Sequence, residues 1–320
     1  MTKRLVEEVF AAELHNDALA PLDDAARVTA GDVPLAMTTD AFVVDPIFFP
    51  GGDIGELSVC GTVNDLLVAG ARPAALTAGY ILEEGLPLRH LRRVVASMAR
   101  AARQAGVSVV AGDTKVVPLG KGDGCYITTA GVGLPVPGLE VGAARGKPGD
   151  LVLISGTPGQ HGAAVMAARA GLDPGGAVLS DCAPLTGLLE PIMAHPEGVH
   201  TMRDPTRGGL ATTLCELAEA SGVTIEVKET AIPLSEPVRT ICELMGLDPL
   251  QLACEGRVVV LAEPEAARRA LDAFRAHEQG ADAAIIGRVA EGAPRVVLQT
   301  SMGGRRLITT PASDPLPRIC

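Results

Sequence analysis

Residues 74–111, AALTAGYILEEGLPLRHLRRVVASMARAARQAGVSVVA, predict a strand, a helix and a second strand in succession. Within this stretch, residues 88–105 carry apolar side chains at helical spacing, and Gly106 follows where a helix commonly ends. The flanking segments 74–83 and 107–111 are short and apolar, as strands are. The predicted apolar face of the helix consists of Leu88, Leu91, Val94, Val95, Met98 and Ala102. The other elements predicted nearby are strands at 34–44 and 125–133 and a helix at 54–69. The first part of the chain therefore predicts an α+β unit, a mixed sheet with helices on one face.

A second α+β unit follows residues 133–138, GLPVPG, which interrupt both periodic patterns and predict a linker. Its predicted helices are 161–170, 184–194, 209–221, 235–245 and 264–276. Its predicted strands are 151–154, 223–227, 256–262, 283–289 and 295–300. We therefore predict an N-terminal domain at 1–138, a C-terminal domain at 139–307 and a tail at 308–320.

The tail is predicted to be an extended, flexible arm. Pro311, Pro315 and Pro317 prevent a helix there and favour extended backbone. Measured from Leu307, such an arm could span roughly 40 Å. The chain ends in Cys320, so this thiol could visit more than one site.

Composition excludes several classes of partner. The 320 residues are 47% hydrophobic but only 2% aromatic, and the net charge is −11. A nucleic-acid partner is not expected, because base-stacking surfaces need aromatic side chains and phosphate-binding surfaces need basic ones. No membrane partner is expected either, since no apolar stretch is long enough to span a bilayer. The seven cysteines are scattered without a CxxC pair, and the start lacks a secretory segment, so we expect a reducing, cytoplasmic location.

Scattered acids are the candidates for metal and nucleotide binding. The chain contains no GxxxxGK[ST] loop and no GxGxxG after a strand, so a nucleotide would have to bind by another device. Asp40, Asp65 and Asp113 lie in or beside apolar elements, and Asp23-Asp24 precedes them in a loop. Carboxylates of this kind suit Mg²⁺, which bridges protein acids and substrate phosphates. Each acid taken alone is equally compatible with a helix cap or a solvated turn.

Glycine-rich helix starts are candidates for binding phosphate. Residues 203–209, RDPTRGG, lead into a predicted helix, whose free backbone N–H groups and dipole favour an anion. Residues 51–55 and 155–162 are weaker candidates, and the second contains His161. Glu255 follows an apolar stretch, where burial would raise its pKa and make it a candidate base. The alternative for Glu255 is a cap or an ion pair.

With these motifs the chain resembles the HypE family of hydrogenase maturation factors, which are carbamoyl dehydratases. The wider superfamily includes aminoimidazole ribonucleotide synthetase, selenophosphate synthetase and thiamine-monophosphate kinase. The matching segments are 38–55, 60–66, 81–87, 110–118, 180–185, 203–211 and the terminal Leu316-Pro-Arg-Ile-Cys320. The acid and glycine motifs indicate only the superfamily, whereas the terminal PRIC is specific to this member. The sequence departs from the pattern in its short segment before Asp24, at Gln160 in place of an acid, and at Cys254 in place of Asn.

The resemblance implies a homodimer in which the N-terminal sheets of two subunits pair into a barrel, with ATP in a cleft between the domains. It implies that Cys320 accepts a carbamoyl group from the carbamoyltransferase HypF, and that ATP-dependent dehydration converts this group to a thiocyanate. The cyano group then passes to iron on the HypC–HypD complex. Together with the motifs, it predicts metal ligands at Asp24, Asp40, Asp65 and Asp113. It also predicts ATP contacts at Asp40, Asn64, Asp65, Asp113, Thr114, His161, Asp204, Arg207, Gly208 and Gly209.

The dehydration chemistry needs a base near the thiol, because the amide nitrogen must lose protons to become a nitrile. Lys115 and Glu255 are the candidates. Two alternatives stay open at this point. The protein could be another ATP-using synthetase of the same superfamily, or Cys320 could belong to a non-enzymatic thiol carrier. A carrier would have no use for a metal–ATP site.

Overall fold

A computed structural model describes residues 6–172, 176–310 and 316–320. Pro311 and Pro315 of the predicted arm lie outside the described residues. A short helical segment, Val6–Ala11 and Ala12–Leu14, precedes the first sheet. The N-terminal unit then contains β1 (Ala26–Ala30), β2 (Val33–Phe42), β3 (Phe48–Phe49), β4 (Gly52–Asp53), α1 (Ile54–Val68), β5 (Ala71–Glu83), α2 (Leu88–Ala105), β6 (Ser108–Val117) and β7 (Cys125–Pro135).

The first sheet has the order β1-β2-β7-β5-β6, and only its β5–β6 pair is parallel. Helix α1 packs on this sheet, and α2 packs on α1. The side chain of Asp53 begins α1 by accepting hydrogen bonds from the N–H groups of Gly55 and Glu56. Thirteen of the fifteen α1 residues are buried, because the helix is covered by the sheet, by α2 and by the second unit. The mixed sheet with helices on one face is therefore confirmed.

Helix α2 has the predicted bounds, and Gly106 ends it in the left-handed conformation at φ 72°. Its buried side includes Val94, Met98 and Ala102, as predicted. Leu88 and Val95 were also expected on that side, but they are 68% and 44% exposed. Leu88 is the first residue of the helix, and Val95 lies on its outer face, where none of the described residues covers it.

The C-terminal unit contains β8 (Leu151–Ile154), α3 (Gln160–Ala170), α4 (Thr186–Ala194), β9 (Val199–Arg203), α5 (Gly209–Ser221), β10 (Thr224–Lys228), α6 (Glu236–Met245), β11 (Val259–Ala262), α7 (Pro264–Arg275), β12 (Ala284–Ala290), β13 (Arg295–Gln299) and β14 (Arg305–Ile308). Short 3-10 helices lie at Ala143–Arg145, Glu229–Ala231, Pro249–Gln251 and Glu278–Gly280. Its seven-stranded sheet has the order β14-β13-β10-β12-β8-β11-β9.

The sequence did not predict β1, β9 or β14. Strand β1 is an edge strand with mostly exposed side chains, and β14 contains two arginines, so neither carries a strong apolar pattern. Strand β9, VHTMR, is polar in composition but buried, because it lies at an edge of the sheet beside the first unit. Strand β11 begins at Val259 rather than at the predicted residue 256, because residues 254–257 form a turn.

One apolar core joins the two units. It contains Leu57 and Leu67 from α1 together with Leu185, Leu189 and Phe274 from the C-terminal unit, all at most 1% exposed. Burial of this area is the main contribution to holding the units together. A second core lies on the other face of the C-terminal sheet and involves α5. No helix in the described parts of the chain is both long and apolar enough to cross a membrane.

Candidate active site

Three acids from separate elements meet at the junction of the units. Asp24 precedes β1, Asp65 lies on α1, and Asp204 directly follows β9. Each offers a carboxylate oxygen, and these oxygens lie within 4.8 Å of one another. Asp204 is buried, whereas Asp24 and Asp65 are partly exposed. Three carboxylates this close are the donor set that a hard divalent cation such as Mg²⁺ prefers.

The electrostatics of the cluster favour protons or a cation. Burial raises the pKa of Asp24 to about 8, and Arg203, whose Nε lies 3.0 Å from Asp24 Oδ1, opposes that increase. Burial likewise raises the pKa of Asp204 to about 6. The pKa of Asp65 is also raised, by burial and then by the neighbouring charges of Asp40, Asp204 and Asp24. A bound divalent cation would stabilise the ionised forms of all these groups.

Strand β2 adds a fourth acid at the border of the cluster. Asp40 accepts a hydrogen bond from Thr62 Oγ1 at 2.9 Å, and Thr38, two residues away on the same face, donates to Asp65 Oδ2 at 2.8 Å. Burial raises the pKa of Asp40. Predicted ligands Asp24, Asp40 and Asp65 thus converge. Asp23 turns away from them, because its Oδ1 accepts the N–H of Ala143 at 2.9 Å.

The predicted site residues on β6 are not brought to this cluster within one chain. Asp113, Thr114 and Lys115 lie in the middle of the edge strand, three strands across from Asp40, or roughly 14 Å at the usual strand spacing. Lys115 Nζ pairs with Asp113 Oδ2 at 2.6 Å, and both side chains are at least 70% exposed. This hydrogen bond lowers the pKa of Asp113. The sequence predicted a strand that ends at Ala111. The strand continues to Val117, so Asp113, Thr114 and Lys115 lie on an open edge of the sheet.

Glu255 lies between the acid cluster and the C-terminal unit. It is 3% exposed, and its pKa is raised well above the ordinary value by burial and then by Asp204, Asp181 and Asp40, while Arg207 opposes the shift. Its Oε1 atom is buried without a hydrogen-bond partner among the described residues. A carboxyl group in this setting is able to exchange a proton with a ligand.

Two side chains hold the turn that contains Glu255. Asp181 Oδ1 accepts the N–H of Glu255 at 3.2 Å and that of His161 at 3.1 Å. Asn64 donates to the carbonyl oxygens of Glu255 and Ala183, and its Oδ1 accepts the N–H of Leu185 at 2.8 Å. Asn64 was predicted to contact ATP, and in the structure its amide joins α1 to the C-terminal unit.

The glycines at the start of α5 are required by the backbone. Gly208 and Gly209 have φ values of 75° and 58°. A Cβ atom at Gly208 would lie 2.1 Å from Thr212 Oγ1, and one at Gly209 would lie 2.4 Å from Leu252 O. Asp204 and Arg207 precede them directly. A helix N-terminus, which favours an anion, therefore lies beside a carboxylate cluster that favours a cation, as a metal–phosphate complex requires.

A cavity of about 460 Å³ opens beside the cluster, between the two units. Its charged lining includes Asp24, Arg27, Arg145 and Arg203. This volume falls within the range of pockets that bind small molecules.

The final residues lie against both units rather than in solvent. Leu316 and Ile319 are 4% and 3% exposed. Val43 N–H donates to the Cys320 carbonyl at 3.1 Å, three residues beyond Asp40. His161 was predicted to contact the nucleotide, and in the structure its Nε2 atom lies 2.7 Å from the Ile319 carbonyl oxygen.

Several side chains of the site were not found from the sequence. Thr38 and Thr62 have no signal beyond their neighbouring acids, and nothing in the sequence distinguishes Arg169 from any other arginine near a helix end. Asp181 lies in the matching segment 180–185, but that segment gave no hint that its carboxylate is fully buried and ties two loops together. Arg257, 3.4 Å from Asp181 Oδ2, completes that network.

We expect Mg²⁺ to stabilise this protein more at pH 8 than at pH 5. Without a cation, the folded state holds protons on Asp24 and Asp204 that the unfolded chain, with its ordinary value of 3.8, has released. These groups therefore lower the free energy of unfolding progressively as the pH rises from 3.8 to about 8. Thermal unfolding with and without Mg²⁺ measures the effect. Asp65→Asn should remove most of it and the exposed Asp282→Asn should not. An equal Mg²⁺ effect in both variants would contradict a metal site here.

The two α+β units match the models of the AIR synthase related proteins. Residues 22–134 match the N-terminal domain and residues 147–299 match the C-terminal domain. The fold and the acid-lined junction thus define an AIR synthase related protein. Within that class, the carbamoyl dehydratase HypE of Azotobacter vinelandii is 49% identical over 318 residues, or 99% of this chain and 93% of the relative.

Solved structures agree with the sequence comparison. HypE in complex with ATP is 46% identical, with a TM-score of 0.87 over 100% of this chain and 96% of that one. A HypE–HypF complex contains a chain that is 48% identical, with a TM-score of 0.91 over 96% of this chain and 99% of that one. The chain belongs to the HypE family of carbamoyl dehydratases, which are hydrogenase maturation proteins.

Proposed function

We propose that this protein dehydrates a carboxamide on the thiol of Cys320 to a thiocyanate, with ATP consumed to ADP and phosphate. One observation carries the proposal. The tail that ends in Cys320 docks against both units, with Val43, three residues beyond Asp40, binding the Cys320 main-chain oxygen, and the junction of these units holds a carboxylate cluster, a glycine-rich helix start and the buried Glu255. A thiol carrier without catalysis would not need these groups. The relatives named carbamoyl dehydratase and the HypE–ATP complex support the same reaction and nucleotide.

The nucleotide would bind at the mouth of the cavity beside the acids. Asp24, Asp40, Asp65 and Asp204 would hold Mg²⁺, and the N–H group of Gly208 would face the phosphates, whereas that of Gly209 donates to the Thr206 carbonyl at 2.9 Å. When bound, Mg²⁺ would neutralise part of the negative charge on the phosphates. Arg207, near Asp40 and Glu255, adds positive charge on the same side.

The reaction balances with one base and one leaving phosphate. The amide oxygen of the S-carboxamide takes the γ-phosphoryl group of ATP, which turns a poor leaving group into phosphate. The nitrogen loses one proton to the base as the oxygen is phosphorylated and ADP leaves, and its second proton departs with the phosphate as the C–O bond breaks, so that a C≡N bond remains on sulfur. Glu255 is placed to accept a proton, because its Oε1 lacks a partner among the described residues and burial keeps its pKa high. Lys115 is too distant within one chain to compete with it.

The proposal includes a homodimer formed through the N-terminal sheets. Strand β6 is an open sheet edge in which nine of ten residues are exposed, Val110 and Val116 by 65% and 66%. Such an edge favours pairing with another strand. Barrel pairing across the dimer would cover these valines, and it offers the route by which Asp113, Thr114 and Lys115 could serve a site.

We expect Val110→Lys combined with Val116→Lys to give a monomer, because two charges cannot be buried unpaired at an interface. Light scattering at micromolar concentration measures the mass. The matched control is Leu244→Lys with Leu307→Lys, two exposed leucines of the C-terminal unit, which should leave the dimer intact. A wild-type chain that is monomeric would overturn this part of the proposal.

The proposed partners are those of the family. HypF would supply the carbamoyl group, as the HypE–HypF complex of a relative supports. The HypC–HypD complex would receive the cyano group, as the resemblance implies. The direct experiment is intact-mass measurement after addition of the carbamoyl donor and Mg-ATP. Carbamoylation followed by loss of one water supports the enzyme, whereas a stable carbamoyl adduct in the presence of ATP supports the carrier.

A further inference from the structure

The last five residues bind mainly through their backbone. Val43 N–H donates to the Cys320 carbonyl at 3.1 Å, and Asp45 N–H donates to the Arg318 carbonyl at 3.2 Å. This pairing is antiparallel and extends the line of β2 beyond Phe42. Leu316 and Ile319 are buried as apolar anchors on either side of these bonds.

Helix α3 supplies further contacts from a residue near each of its ends, and Asp123 of the N-terminal unit pairs with the Arg318 side chain at 3.3 Å. His161 Nε2, in the first turn, lies 2.7 Å from the Ile319 carbonyl oxygen. Arg169, in the last turn, donates from Nη1 to the Pro317 carbonyl at 2.8 Å, and its guanidinium also reaches the carbonyls of Arg318 and Asp45. Eight residues separate the two side chains, or about 12 Å along the helix axis. Both therefore contact tail backbone on the two sides of Arg318.

His161 is held in place before the tail arrives. It is fully buried, its ring lies edge-on to Phe49 at 5.1 Å, and its Nδ1 lies 2.8 Å from Ser180 Oγ. Burial lowers its pKa, so the ring is neutral and carries a single N–H. Since the Ile319 carbonyl can only accept, we assign that proton to Nε2 and let the Ser180 hydroxyl donate to Nδ1. The Ser180 oxygen in turn accepts the N–H of Cys182 at 3.0 Å.

We propose that His161 and Arg169 are positioning residues that latch the tail, presenting Cys320 to the junction of the units and withholding it from an external donor. The catalytic consequence rests on the proposed function. Loading of the thiol requires a second protein to reach it, whereas dehydration requires it to be held. Loss of the latch must therefore slow dehydration without slowing loading, a split that general destabilisation would not produce.

The first test needs no catalysis. Cys320 in the full-length protein is alkylated with a maleimide, and its labelling is followed by peptide mass spectrometry. Loss of a charge-assisted hydrogen-bond set should make the undocked tail about ten-fold more frequent, so Arg169→Met should label about ten times faster than wild type. The matched control is Arg103→Met, an exposed arginine in the last turn of α2, which should label at the wild-type rate. Arg169→Lys should recover part of the protection.

The second test separates the half-reactions by intact mass. In Arg169→Met and His161→Leu we expect carbamoylation as fast as in wild type or faster, and dehydration about ten-fold slower. Arg169 is partly exposed, so its variant tests the latch even if His161→Leu fails to fold. Unchanged Cys320 labelling in Arg169→Met, or equal losses in both half-reactions, overturns the proposal. If Arg169→Met is labelled faster but the wild-type protein accepts no carbamoyl group, the latch is supported and the proposed function is overturned.

Discussion

Cys320→Ala is expected to abolish acceptance of a carbamoyl group while leaving ATP binding unchanged. The thiol is the proposed attachment point, and no other cysteine is placed to replace it. Cys60, Cys125, Cys182, Cys242 and Cys254 are buried, so an external donor cannot reach their thiols. Burial raises the pKa of Cys125 and of Cys242 to about 11. Intact mass after incubation with the donor measures the loss, and calorimetry with Mg-ATP measures the binding.

The matched control for that experiment is Cys215→Ala. Cys215 is the other partly exposed cysteine of the described residues, and its Sγ lies 3.4 Å from the Ile308 carbonyl on the far side of the C-terminal unit. Its variant should accept the group at the wild-type rate. A carbamoyl adduct on any other cysteine of Cys320→Ala would show that the terminal thiol is not the attachment point.

Glu255→Gln is expected to accept the carbamoyl group normally and to dehydrate it about 10²–10³-fold more slowly, the usual loss for a general base. The pKa of Glu255 is raised, so its ionised fraction grows as the pH rises through that raised value. The dehydration rate of the wild type should therefore rise with pH, and Glu255→Gln should lose this rise. Quenched samples show the two states by intact mass, because dehydration removes one water.

Glu190→Gln provides the control for removal of a carboxylate, since Glu190 forms an exposed ion pair with Arg72 far from the cluster. It should dehydrate at the wild-type rate with the wild-type pH profile. Wild-type behaviour in Glu255→Gln would exclude Glu255 as the base. Lys115→Met in the same assay then tests whether Lys115, brought to a site by the dimer, is the base.

Local patterns determined most of the secondary structure. The helix at 88–105 was predicted to the residue because an amphipathic repeat and a glycine stop agree, and the helix at 209–221 matched for the same reason. The helix at 264–276 matched within one residue because Pro264 opens it and its apolar residues share one face. Strands β1, β9 and β14 were missed because they are edge strands, and their stability comes from neighbouring strands rather than from an apolar repeat of their own.

For the candidate site too, local sequence patterns indicated individual residues, and the tertiary structure decided which of them lie together. The sequence singled out Asp40, Asp65 and Glu255 as acids in apolar surroundings, Asp24 as an acid in a loop and Asp204 within a glycine-rich motif, and the structure groups them at the junction of the units. Asp113 and Lys115 carried the same local signal, yet they lie on an open sheet edge, because strand order across a sheet is not written in the strand itself.

By itself, the sequence determined the two α+β units, the family through its motifs, and the presence of a thiol at the end of a proline-containing tail. Only the tertiary structure decided which acids share a cluster, that Asn64 joins the units, and that His161 and Arg169 bind the tail. The physical reason is the separation along the sequence over which each kind of interaction acts. Periodicity and caps act over a few residues, whereas these contacts join atoms more than a hundred residues apart in the chain, and their partners are mostly backbone carbonyls, which every residue carries and no sequence pattern marks.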